Sequence, residues 1–323
     1  MSQTKFQCTI INYIQKKSNF VNMIKTNSPK AWLLASRPQT LTGAAAPIII
    51  ALSAAYHVYG HLDWTAALLC LLFALLMQID ANFVNDYFDF AHGIDDEQRL
   101  GPKRACAQGW ITPKAMLCGI TIITIMACVV GLPLIAWGGW ECIIVGVACV
   151  VFCFLYTTLF SRIAMGDILV LLFFGIIPIG YTYFFQSHHD SILHIPLGVW
   201  MLALAQGLVT DCLLLVNNFR DRDTDKRVGK ITLVNIIGEK PSLFLYEMCG
   251  VLAAILARYA IYVLSDHSMD WKCFVPYTFI VIHSRVAHSM HRINHGSRLN
   301  MVLGYTARSI LIFSILVSLA LIL

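Results

Sequence analysis

The sequence predicts an all-α polytopic membrane protein, about nine transmembrane helices in one bundle enclosing a lipid-accessible cavity, and three observations predict it. Of 323 residues 58% are apolar and 13% charged, where a soluble domain carries roughly 25% charged residues. Mean hydropathy is +0.70, too high for a single core that charged side chains must cover in water. Apolar runs of spanning length recur along the chain, broken by Pro, Gly and charge clusters. A water-soluble globule is thereby excluded, and lipid is the solvent for most of the surface.

Residues 1–30 alternate basic and apolar side chains, with Phe6, Ile10, Tyr13, Ile14 and Phe20 around Lys16 and Lys17. They read as an N-terminal interfacial or disordered segment, and residues 31–323 as the transmembrane domain. A span needs about 20 mostly apolar residues. Nine such stretches lie near 40–58, 65–90, 115–137, 140–160, 167–186, 196–219, 243–264, 271–290 and 301–323. No short apolar core followed by a small-residue cleavage site opens the chain, so a cleaved signal peptide is not expected. The 11 cysteines are scattered without a CxxC pair, which supports neither a disulfide framework nor a zinc site.

Charge tests this map. Of the 23 Lys and Arg, all but Arg258, Lys272 and Arg308 fall at the end of the bundle that holds the N-terminus. Cytoplasmic loops hold such an excess, so the N-terminus and that face are expected on the cytoplasmic side of a cell's inner membrane. The excess of cations is read as topology, and no nucleic-acid partner is expected. His283, His288, His291 and His295 cluster at the end of the eighth span without a carboxylate, the pattern of a wet helix end rather than a metal site.

Two acidic clusters close spans at that same face. Asn82, Asn85, Asp86 and Asp89 occupy an arc of roughly 100° on one helix, and Asn217, Asn218, Asp221 and Asp225 a similar arc on another. Carboxylates so close repel one another and resist desolvation, so they call for a cation. Hard oxygen donors of this kind suit magnesium, which commonly sits between one or two carboxylates and substrate phosphates. Basic loops follow both clusters: Arg99, Lys103 and Arg104 after the first, Lys226, Arg227 and Lys230 after the second. Carboxylates and cations interleaved at the mouth of a lipidic groove fit an isoprenoid diphosphate.

At these residues the chain resembles the UbiA superfamily of intramembrane aromatic prenyltransferases, whose two aspartate-rich motifs bind magnesium and diphosphate. The resemblance runs from about Ser28 onward, and within the superfamily it is nearest the branch acting on 1,4-dihydroxy-2-naphthoate. It is carried by Arg37-Pro38-Gln39-Thr40-Leu41, by Asn85-Asp86-Tyr87-Phe88-Asp89 through Gly93 and Asp95 to Arg99-Leu100-Gly101-Pro102-Lys103-Arg104, and by Asn217-Asn218-Phe219-Arg220-Asp221 through Asp225 to Lys230-Ile231-Thr232-Leu233. Gly166-Asp167, Phe173-Phe174-Gly175 and Thr306-Ala307-Arg308 add to it. Two features depart from the pattern: Ile236 stands where an arginine is usual, and the loop from Thr157 to Gly166 is short.

The resemblance implies an active-site cavity in which a polyprenyl group passes from polyprenyl diphosphate to 1,4-dihydroxy-2-naphthoate, losing diphosphate and CO2 and giving demethylmenaquinone. Mg2+ is expected on Asn82, Asp86 and Asp89, with a second ion on Asp221 and Asp225. Arg99, Lys103, Arg104, Arg220 and Lys230 are expected on the phosphates, with Asn85, Asn217 and Asn218 among the substrate-binding groups. Tyr156 is expected to face the allylic cation, and Arg308 the naphthoate carboxylate. The alternatives are a related enzyme acting on 4-hydroxybenzoate or homogentisate and, in another class, an ion-coupled transporter. Transporter sites lie near the bilayer midplane on interrupted helices, whereas both acidic clusters here sit at one membrane end.

Overall fold

The computed structural model describes residues 24–93, 100–160, 163–187 and 191–323. After a short helix α1 (Pro29–Ala35), the long elements are α2 (Leu41–Tyr59), α3 (Trp64–Ala91), α4 (Pro113–Gly131), α5 (Glu141–Thr158), α6 (Gly166–Leu171), α7 (Ile177–Gln186), α8 (Leu197–Arg227), α9 (Glu239–Leu264), α10 (Thr278–Ile293) and α11 (Leu299–Ile322). Among the described residues eight helical stretches are long and apolar enough to cross a membrane, α1 with α2 and α6 with α7 each counting as one.

Nine were expected, and the difference lies in one stretch. The stretch expected at 271–290 is a 3-10 segment, Trp271–Tyr277, feeding the 16-residue α10. Pro276 removes a backbone donor there. Cys273 and Phe279 join the apolar cluster at one end of the bundle, Val286 and Met290 the cluster at the other. His283, expected at a wet helix end, is 1% exposed. Its Nε2 lies 2.9 Å from the carbonyl of Tyr246.

Turn residues meet in two separate groups. In one, Asn27 binds the carbonyl of Trp110, Ala164 that of Ile231, and Arg222 that of Asn294. In the other, Asp63 caps α3 and accepts from Trp137, while His57 meets the carbonyl of Leu321. The residues expected as an N-terminal segment lie, up to residue 23, outside the described residues. Ile24 and Trp110 pack against one apolar cluster.

Small residues set the closest approaches. Ala253, Ala254, Ala257 and Ala260 of α9 are buried, and α8 packs along that helix; without a hydrophobic drive in lipid, such close packing holds helices together. Between α6 and α7 the chain makes one π turn, Leu172–Ile176. Gly175 in that turn lies on the carbonyl of Ala203 and the backbone of Gly207, where a Cβ would collide.

Candidate active site

A cavity of about 460 Å³ opens between α2, α3, α5, α7 and α8. At the end that gathers the basic loops its wall carries Asn85, Arg104, Tyr156 and Asn217. From there it runs between apolar walls toward Leu134 and Phe185, which belong to the cluster beneath the Asp63 cap. Ile143 and Val147, both exposed, line one side of it.

On α3 the acidic cluster divides into two roles. Asp86 is 1% exposed, and its two oxygens accept from the amides of Ala105 and Cys106 at 2.8 Å each. Asn82 donates to the carbonyl of Ser36 at 2.9 Å and to Thr40 Oγ1 at 3.0 Å. Both were expected to hold metal. In the structure they tie the turn before α2 and the 100–112 loop to the helix. Asn85 and Asp89 point the other way: Asn85 faces the cavity with its Oδ1 accepting from Thr157, and Asp89 meets Arg104 at 2.6 Å.

On α8 the division repeats. Arg220, expected on phosphate, is 1% exposed with each guanidinium nitrogen engaged. Nε and Nη2 grip the two oxygens of Asp221 at 2.8 and 2.6 Å. Nη2 also reaches Asn217 at 2.6 Å, and Nη1 reaches Asn300 at 2.8 Å. Arg220 therefore orients the second motif. Asp221 stays partly exposed and Asp225 pairs with Lys230 at 3.4 Å. Asn218 is buried, and Lys103 is exposed beside Arg104.

The two motifs are joined. A Cβ on Gly101 would lie 2.7 Å from Arg220 Nη2, so the loop leaving the first motif rests on the guanidinium that organises the second. Arg308, expected against the acceptor, is exposed on the outside of α11, while its neighbours Leu303 and Ala307 face inward. Arg99 and Asp95 lie outside the described residues.

The sequence reading assigned no role to Arg37, Gln39, Thr40 and Gln78, which line the cavity mouth. Arg37 adopts a left-handed conformation, φ 49°, before Pro38; the Arg-Pro pair was the visible trace of that turn. Asp80 and Asp211, fully or nearly buried, also went unnoticed inside apolar runs. Asp80 accepts from Thr124 at 2.7 Å.

Among the described residues no three His, Cys, Asp or Glu side chains converge as a closed metal cage. The donor set is instead mixed and paired: Asp89 with Arg104, Asp221 with Arg220, Asp225 with Lys230, and the amides of Asn85 and Asn217 between them. Hard oxygens with matching cations fit Mg2+ that arrives with a phosphate ligand.

Residues 44–320 match the model of the UbiA prenyltransferase family. A 1,4-dihydroxy-2-naphthoate octaprenyltransferase of Escherichia coli (strain K12) is 32% identical over 268 residues, covering 79% of this chain and 84% of that one. Its namesake in Mycobacterium tuberculosis is 32% identical, covering 70% and 77%. In fold, a UbiA homolog from Aeropyrum pernix K1 superposes with a TM-score of 0.66 at 12% identity, covering 88% of this chain and 96% of that chain. A UbiA homolog from Archaeoglobus fulgidus bound to DMAPP and Mg2+ gives 0.60 at 12%, covering 90% and 98%. The chain belongs to the UbiA prenyltransferase family.

Proposed function

We propose that this protein transfers a polyprenyl group from polyprenyl diphosphate to 1,4-dihydroxy-2-naphthoate, releasing diphosphate and CO2 and giving the quinol form of demethylmenaquinone. One observation carries the reading: two oxygen-rich helix ends, tied through Gly101 and Arg220, contribute Asn85 and Asn217 to the polar end of one largely apolar cavity. The names of the bacterial relatives support the acceptor, and the excess of cations at the polar end supports a cytoplasmic site in the cell's inner membrane.

Asn85 and Asp89 from α3, with Asn217, Asp221 and Asp225 from α8, are the residues that would hold Mg2+. When bound, it neutralises charge on the leaving diphosphate. Lys103, Arg104 and Lys230, already beside or paired with those carboxylates, bind phosphate oxygens. The carbon–oxygen bond breaks with its electron pair left on diphosphate. The apolar walls keep water from the allylic cation, and the face of Tyr156 stabilises it. The ring carbon bearing the carboxylate attacks, and loss of CO2 returns the carbon–carbon pair to the ring. Arg37, at the cavity mouth, is the cation offered to the acceptor carboxylate in place of Arg308.

The test presents membranes containing the protein with one polyprenyl diphosphate and each aromatic acid in turn, with and without Mg2+. Prenylated naphthoquinol and CO2 from the naphthoate alone are expected. Product from 4-hydroxybenzoate or homogentisate instead overturns the acceptor, and solute uptake without prenyl transfer overturns the enzyme class.

A further inference from the structure

We infer that Asn300, at the start of α11, is a positioning residue that straps the phosphate-binding loop onto Arg220; the inference rests on the reading of the site given above. The amide of Asn300 works in two directions. Its Nδ2 donates to the carbonyl of Leu100 at 2.8 Å, and its Oδ1 accepts from Arg220 Nη1 at 2.8 Å. A carboxamide offers a donor and an acceptor on one rigid plane.

The strap has a second fastening. Gly101, next in the chain, has room only for hydrogen above the guanidinium: a Cβ would sit 2.7 Å from Nη2 and 3.1 Å from Cζ. Three residues later Arg104 reaches Asp89, and the amides of Ala105 and Cys106 close on Asp86. The 100–106 loop is thus pinned to α8 and α11 at one end and to α3 at the other. Lys103 and Arg104 lie between the two fastenings. Asn300 therefore sets where these cations stand relative to both acidic helix ends, without belonging to either motif.

Asn300→Asp separates the two bonds, since a carboxylate still accepts from Arg220 but repels the carbonyl of Leu100. Asn300→Gln keeps both functions on a longer arm. With the full-length protein in lipid nanodiscs, hydrogen–deuterium exchange of peptides covering 100–106 reads the strap directly. Steady-state kinetics read the two substrates separately. The Asp variant is expected to speed exchange at 100–104 about tenfold, the equivalent of one lost hydrogen bond. The KM for polyprenyl diphosphate should rise by a similar factor and that for the naphthoate should hold, with the Gln variant nearer wild type. Gly101→Ala lifts the loop from its other fastening. It should give the same two changes and add little to Asn300→Asp, because both break one clasp. If Asn300→Asp does not fold, Gly101→Ala carries both readings.

Unchanged exchange in the variants overturns the strap. Faster exchange with both KM values unmoved, or raised equally, overturns its positioning role. Faster exchange in a protein that prenylates no acceptor leaves the strap standing and removes the proposed function.

Discussion

Arg220 holds Asp221 with two prongs, Nε on Oδ1 at 2.8 Å and Nη2 on Oδ2 at 2.6 Å, from a position 1% exposed. A carboxylate gripped by two parallel bonds has its orientation fixed, and Asp221 remains partly exposed. The arginine thus acts as the spine of the second motif, and its substitution should report orientation and packing together. Arg220→Lys cannot reproduce the fork. It is expected to lower kcat/KM at least about tenfold and to lower the melting temperature of the purified protein, since Asn217 and Asn300 also lose partners.

Asp86 and Asp89, one turn apart, should behave differently. Asp89→Asn, which keeps an acceptor for the buried Arg104, is expected to abolish product while leaving membrane expression and melting temperature near wild type. Asp86→Ala strands two buried amides at about 1–3 kcal/mol each, so a fall in thermal stability should accompany its loss of activity. Product assays paired with melting curves separate the two; an Asp86→Ala protein as stable as wild type contradicts the capping role.

Arg37 and Arg308 form a second contrasting pair. Arg308→Ala changes an exposed side chain on the outer face of α11 and should leave both KM values within about twofold, as surface substitutions usually do. Arg37→Ala removes a charge-assisted contact worth about 1.5–3 kcal/mol. It should raise the KM for the naphthoate at least tenfold and spare that for polyprenyl diphosphate. Initial rates with each substrate varied in turn decide it.

Metal removal should act on the donor site. Protein stripped with EDTA is expected to lose prenyl transfer and to recover it with Mg2+. Ca2+, which prefers 6–8 ligands in a looser shell, should restore it poorly. Turnover that survives the chelator removes Mg2+ from the account.

Much of this architecture could be read from the residues, because lipid demands about 20 apolar residues per passage and sorts Lys and Arg to one face. The stretch at 271–293 was harder, since a 3-10 entry at Pro276 and a half-polar α10 break its apolar run. At the site, helical periodicity placed Asn82, Asn85, Asp86 and Asp89 on one arc. An arc of roughly 100° cannot say which edge faces a cavity and which faces a loop. Asp86 faces the 100–112 segment where it folds back onto α3, and Asn82 faces the turn at 36–40, long-range contacts without a local signal. Arg308 stands in a mostly apolar stretch with Thr306 and Ser309 close by, a pattern that does not distinguish the lipid face of α11 from its cavity face. Arg37 escaped notice because the backbone turn at Pro38, rather than a helix period, brings it to the mouth.

The central claim is that Asp89 and Asp221 hold one diphosphate headgroup between them. Isothermal titration of a non-hydrolysable prenyl thiodiphosphate in saturating Mg2+, into wild type, Asp89→Asn, Asp221→Asn and the double variant, tests it most directly. Each single exchange should weaken binding at least about tenfold, and the double variant by less than the product of the two factors, as groups sharing one ligand do. Wild-type affinity in either single variant would contradict the account.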